Sequence, residues 1–161
     1  MALATTDRRV GRLVELGRQR EDQDHATGHE RGLWFDEDAA DRVVDFFSML
    51  RHHKGEWAGQ EFVLADWQRD DIIRPLFGWK RADGTRRFRY AYIEVPRKCG
   101  KSTMGAAVGL YLLVADGEQG GEVYSAATKR DQARIVWGDA EAMVRSSPAL
   151  GRYCKTNRNN I

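Results

Sequence analysis

The stretch from Phe88 to Ala115 reads FRYAYIEV, then PRKCG, then KSTMGAAVGLYLLVA. Its first segment is aromatic and β-branched and predicts a strand; its last predicts a helix closed by Asp116-Gly117. Met104, Ala107, Val108 and Tyr111 would bury that helix against a sheet, with Gly105 and Gly109 permitting close approach. After the polar GEQGG, EVYSAA predicts a second short strand of the buried type. TKRDQARIVWGDAEAMVRSS then predicts a second helix, which Pro148 stops. Strand, loop, helix, strand, helix is the order of a parallel α/β sheet, here incomplete, since the chain stops at RNNI just where a third strand would be expected.

The segments before this core are helical and hairpin-forming. Val10, Leu13, Val14 and Gly17 share one face of a short N-terminal helix, and EDQDHATGHE reads as a flexible link. His25 and His29 are spaced as two ligands on one helix face would be. With Gly28 between them and no third ligand nearby, a structural role is preferred. Asp36 to His53 predicts a helix with an apolar stripe of Ala40, Val43, Val44, Phe47 and Leu50. Its acidic first turn and basic last turn match the helix dipole. Phe62 and Leu64 sit in a short extended piece, and Asp66 is placed to cap a helix from Trp67 to about Leu76 that Pro75 should end or kink. Asp83-Gly84 then signals a hairpin. The expected division is an N-terminal helix and flexible arm over residues 1–32 and one α/β domain over 33–161.

Composition matters here through the distribution of charge. The net charge of +2 is small, yet Lys80 to Lys101 holds Lys80, Arg81, Arg86, Arg87, Arg89, Arg97, Lys98 and Lys101 against Asp83 and Glu94. Such a cluster favours polyanions, nucleotide phosphates or a nucleic-acid backbone; a solvated basic hairpin explains it equally well. The longest apolar run, Met104 to Ala115, is shorter than the ~18 residues that cross a bilayer, so no membrane association is expected. No signal peptide is read at the start, and Cys99 and Cys154 stand apart without metal-ligand spacing, which suggests a reducing intracellular setting.

The loop between strand and helix carries the chemistry. A phosphate-binding loop needs backbone N–H groups converging at a helix N-terminus, a glycine where the backbone comes closest, a lysine and a hydroxyl for Mg²⁺. Gly100, Lys101 and Ser102 fill those places, although Val95 stands where the usual pattern has its first glycine. Pro96 partly substitutes by fixing φ, and Arg97 and Lys98 add two cations. An arginine here could stabilise charge that develops during phosphoryl transfer. The candidate nucleotide-binding set is Arg97, Lys98, Cys99, Gly100, Lys101, Ser102 and Thr103, with Lys101 and Arg97 as the catalytic candidates.

Three segments in order, GEWAGQEFVLADWQRDDIIRPLFGW, DGTRRFRYAYIEVPRKCGKSTMGAAVGLYLL and VYSAATKRDQARIVWGDAEAMVRSSPAL, strongly resemble the large subunit of tailed-phage terminases over residues 33–151. In that family the P-loop commonly lacks its first glycine and carries Arg-Lys before x-G-K-S. The resemblance implies a P-loop NTPase-type sheet, ATP and Mg²⁺ as cofactors, and hydrolysis that drives DNA into a procapsid. Double-stranded DNA, a terminase small subunit, a portal protein and sister copies in a ring are the implied partners, in the cytoplasm of the host bacterium. Trp67-Gln68 looks like the family's adenine motif, with Gln68 reading an adenine edge. ATKRDQA matches a family segment without a catalytic task, and Lys129 and Arg130 read as surface or DNA-tracking charges.

Family members continue into a Walker B strand ending in Asp, a catalytic Glu and a nuclease domain. Asp45 and Asp71 are the nearest candidate carboxylates, and neither ends an apolar strand. The chain therefore reads as the N-terminal part of such an ATPase. A helicase-like translocase fragment and a non-catalytic module binding nucleic acid or a partner are the alternatives.

Overall fold

A computed structural model describes residues 15, 19, 22–157 and 161. The N-terminal stripe at Val10, Leu13, Val14 and Gly17 lies outside the described residues. The chain divides into two compact units, one of Met1–Val44 with Leu64–Tyr92 and one of Asp45–Val63 with Ile93–Ile161.

An aromatic cluster organises the first unit. Strand β1 (Leu33–Phe35) pairs antiparallel with β2 (Trp79–Arg81), placing Phe35 opposite Trp79 with ring centroids 5.3 Å apart. His25, itself exposed, packs its ring 4.7 Å from Trp79 and 5.4 Å from Phe35, a structural contact with this cluster. Residues 22–27 are helical and Gly28–Arg31 form a 3-10 turn, where the sequence suggested a flexible link. The cause is Asp24, which is buried and pairs with both Arg31 and Arg87.

Helix α1 (Glu37–Ser48) begins where the Asp36 side chain accepts the Ala39 N–H at 2.9 Å. It stops short of the basic Arg51-His52-His53 that were expected to close it. Residues 50–52 instead pair with 60–62: the Phe62 N–H donates to Leu50 O at 3.0 Å and the His52 N–H to Gln60 O at 2.9 Å. Phe62 also stacks on Phe47.

The segment after Ala65 departs from expectation in a different way. Helix α2 (Asp66–Gln68), a π-helical turn (Arg69–Ile73) and α3 (Arg74–Gly78) run on without a break. Asp66 is not the cap; Ala65 holds that position, and the Gln68 side chain accepts its N–H at 3.0 Å. Pro75 neither ends nor breaks the helix, because it sits in the first turn of α3 after a widened turn. A proline ring clashes with the carbonyl four residues back in an α-helix, and π geometry relieves that clash.

The Asp83-Gly84 turn forms, with Gly84 at φ 80° and the Asp83 carboxylate accepting the Thr85 N–H at 2.9 Å. The hairpin is short, continuing only through a bridge between Lys80 and Arg86.

In the second unit, helix α4 (Lys101–Val114) packs on α5 (Arg130–Ser146). Met104, Ala106, Ala107, Leu110 and Tyr111 bury one side of α4, and Ala140, Met143 and Val144 bury one side of α5. Both helices match their sequence expectation within about a turn. Among the described residues the sheet consists of β1 and β2 alone, and segments 88–95 and 122–127 belong to no sheet. The architecture is α/β, with helices and a small antiparallel sheet.

Candidate functional site

The loop before α4 is built around two left-handed residues. Lys98 lies at φ 69° and Gly100 at φ 71°, ψ 14°. Glycine adopts this conformation freely; for lysine it costs about 1 kcal/mol. Lys98 is the one described non-glycine residue with positive φ. Alternation of hands along a loop turns successive N–H groups toward one concave side, the arrangement that binds anions.

Gly100 is the N-cap of α4, and the Met104 N–H donates to its carbonyl at 2.8 Å to close the first helical turn. No side chain caps this end, and no acidic residue lies in the first turn. The first N–H groups of an α-helix have no partner within it and carry roughly half a positive charge. Lys101 adds a full charge at that point, and Lys98 and Arg97 add two more just upstream, all three exposed. Helix ends usually attract charge of the opposite sign, so this one is assembled against its own dipole. An anion seated there reverses the penalty.

Ser102 and Thr103 are half-buried on the same turn, as is Cys99 in the loop. The sequence thus places Arg97, Lys98, Cys99, Gly100, Lys101, Ser102 and Thr103 in one continuous turn. Mg²⁺ bound to phosphates keeps most of its oxygen ligands from phosphate and water, so a single hydroxyl such as Ser102 fits that role. Among the described residues no group of three or more His, Cys, Asp or Glu could hold a metal by itself.

Other candidates lie elsewhere. Gln68, in the first unit, is 7% exposed with its side-chain oxygen committed to the Ala65 N–H. Lys129 is the N-cap of α5 and Arg130 its first residue, both exposed. Asp45 lies on α1 and Asp71 in the π-helical turn. The hairpin cations are less available than their number suggests. Arg87 is tied to Asp24 and stacks over Phe88 at 4.7 Å, and Arg86 lies 5.8 Å over Phe77.

One polar cluster in the second unit has no signature in the sequence. Asp139 on α5 is buried and accepts from Lys54 Nζ at 2.6 Å and from His53 Nε2 at 3.1 Å. His53 Nδ1 is buried without a hydrogen-bond partner. These residues stand 85 and 86 positions apart, and nothing local marks them as partners.

An uncapped, cation-rich helix end after a loop with left-handed residues defines a candidate anion-binding element of the kind nucleotide-binding α/β proteins use. Residues 66–161 match the family model for the terminase large subunit, ATPase domain, and the chain belongs to that family. Its members are ATPases of phage DNA packaging. Comparison with curated proteins and with solved structures gives no match. The family match begins at Asp66, so it takes in Gln68, the loop and both long helices. No helix among the described residues is long and apolar enough to cross a membrane.

Proposed function

We propose that the loop from Arg97 to Thr103 binds the β- and γ-phosphates of ATP, and that in the intact motor hydrolysis there drives double-stranded DNA into a procapsid. The observation that carries this reading is the N-terminus of α4, uncapped, free of acid and flanked by exposed Arg97, Lys98 and Lys101. Gly100 lets the backbone approach the phosphates. Lys101 neutralises their charge, and Arg97 stabilises the charge that builds up as the terminal phosphoryl group leaves. Ser102 would hold Mg²⁺ through its hydroxyl, and the metal would supply charge neutralisation to the phosphates. Lys98, Cys99 and Thr103 contribute backbone N–H groups to the cradle.

Gln68 enters this reading through the family resemblance, as the adenine contact. The terminase small subunit, the portal protein and a ring of sister copies are the proposed partners, in the host bacterial cytoplasm.

Thermal unfolding with and without Mg-ATP tests the site. A ligand that binds only the folded chain stabilises it by RT ln(1+[L]/Kd), about 2.7 kcal/mol at a hundredfold excess over Kd. The wild-type chain should show that shift and Lys101→Ala should lose most of it. Equal shifts for the two chains would overturn the assignment.

A further inference from the structure

We infer that the start of α5 holds the phosphate backbone of double-stranded DNA through Lys129, Arg130 and Arg134. This rests on the DNA-packaging part of the reading above and not on the nucleotide loop.

All three residues lie in the second unit. Lys129 is the N-cap of α5, extended at φ −126° and ψ 139°, and Arg130 opens the helix. Arg134 follows Arg130 by four positions, so the two side chains leave one face with Cβ atoms about 6 Å apart. Each of the three is exposed, and none pairs with a carboxylate among the described residues. Asp131, the acid of the first turn, is exposed too and pairs with none of them.

Other cations of this chain are tied to acids. At the far end of the same helix Arg145 pairs with Glu141 at 2.6 Å. Arg31 and Arg87 share Asp24, Arg74 takes Glu37 and Asp41, and Lys54 takes Asp139. The start of α5 does the reverse. Like charges at Arg130 and Arg134 repel across one turn, and Lys129 and Arg130 oppose the helix dipole. Nothing in the fold offsets either cost, whereas a polyanion lying along that face would offset both.

The neighbouring side chains suit phosphates. Thr128 Oγ1 donates to Gln132 Oε1 at 3.3 Å, which leaves the exposed amide of Gln132 as a donor. Ser125 Oγ donates to Ala133 O at 3.0 Å and pins the incoming chain to the first turn, so the cations stand on a fixed base. Arginine and lysine with threonine and glutamine are the set that contacts phosphate oxygens, while interfaces between proteins are depleted of lysine. Phosphate contacts carry no base information, so this surface would hold duplexes of any sequence alike.

Fluorescence anisotropy of the full chain with a labelled duplex of about 25 bp, from about 50 to 200 mM NaCl, tests this. The wild type should bind with Kd on the order of 1–100 μM, equally for two duplexes of unrelated sequence. The slope of log K against log salt should become shallower by about 1 in Arg134→Gln and by about 3 in Lys129→Gln/Arg130→Gln/Arg134→Gln. Arg145→Gln, which breaks an ion pair on the same helix, should leave the slope as it is. The triple variant should keep the wild-type circular dichroism and Mg-ATP shift, which separates a lost contact from a lost fold. A triple variant with the wild-type slope, or an equal change in Arg145→Gln, would overturn the inference and leave the packaging reading standing. Loss of the Mg-ATP shift with DNA binding intact would assign these cations to the nucleotide and overturn it as well. A wild-type chain that binds no duplex would overturn both the inference and the DNA part of that reading. Failure of the nucleotide loop shows separately, in the shift of Lys101→Ala.

Discussion

Lys98 and Gly100 hold the same left-handed backbone conformation on either side of Cys99, at φ 69° and 71°. One of them is suited to it and the other is not, and the difference separates stability from binding. Gly100→Ala should destabilise the fold by about 1 kcal/mol, since a Cβ at that φ meets the following carbonyl. Lys98→Gly should leave stability unchanged or raise it by up to about 1 kcal/mol while weakening the Mg-ATP shift. Urea denaturation with and without nucleotide measures both. A Lys98→Gly chain that is less stable and binds as well as wild type would contradict this division.

Gly78 is required by the ring beside it. A Cβ at this position would lie 2.4 Å from Cζ and 2.6 Å from Cε2 of Phe35. Phe35 packs against Trp79 and His25, so a shift of its ring disturbs both contacts. Gly78→Ala should therefore cost about 1–3 kcal/mol, as overpacked cores do. Phe35→Leu in the same chain should recover part of the loss, read as the shift in the urea midpoint.

Gln68 invites a substitution that separates its two roles. Glu keeps an acceptor for the Ala65 N–H but carries a charge into a buried position, so Gln68→Glu should cost about 1–3 kcal/mol. Gln68→Ala should cost about 1 kcal/mol. If the amide also donates to adenine, Gln68→Glu should reduce the preference for ATP over other nucleoside triphosphates. An unchanged preference would leave Gln68 as a cap alone.

Asp139 collects Lys54 and His53 in a buried position, and its removal strands both. Asp139→Ala leaves His53 with neither nitrogen paired, and a loss of about 1–3 kcal/mol is expected. Lys54→Met should cost under about 1 kcal/mol, because that side chain is 70% exposed. A larger effect at Lys54 than at Asp139 would reverse the assignment of the cluster's anchor.

Stability should fall toward acid in two stages. Burial, and then the charge of His53, push His52 below its ordinary 6.5. The unfolded chain takes up that proton first, so stability declines as the pH drops from about 6.5 toward the lower folded value. At Asp24 burial alone would raise the carboxyl, but hydrogen bonds from Arg87 and Arg31 and their charges outweigh it and hold the group below 3.8. Its contribution is complete above that pH and disappears as the pH falls through the folded value. Urea midpoints from pH 3 to 8 should show both limbs, and His52→Gln should flatten the one nearer neutrality.

Local chemistry alone marks α4, α5, the Asp83-Gly84 turn and the Gly100-Lys101-Ser102 element, because apolar spacing, turn residues and a phosphate-loop tripeptide are written within a few positions. What tertiary packing decided is of another kind. The end of α1 at Ser48 depends on residues 60–62, which offer residues 50–52 a bridge and Phe47 a ring to stack on. Passage of the helix through Pro75 depends on a π-helical turn that no propensity specifies. Ordering of 22–31 depends on Arg87, more than sixty positions away, satisfying a buried Asp24. The Lys98 backbone and the Asp139 cluster belong here too, since a left-handed lysine and a distant ion pair exist only where the surrounding chain holds them. Contacts within a turn can be read from neighbours in sequence; those that satisfy a buried charge or a strained backbone come from residues the fold brings near.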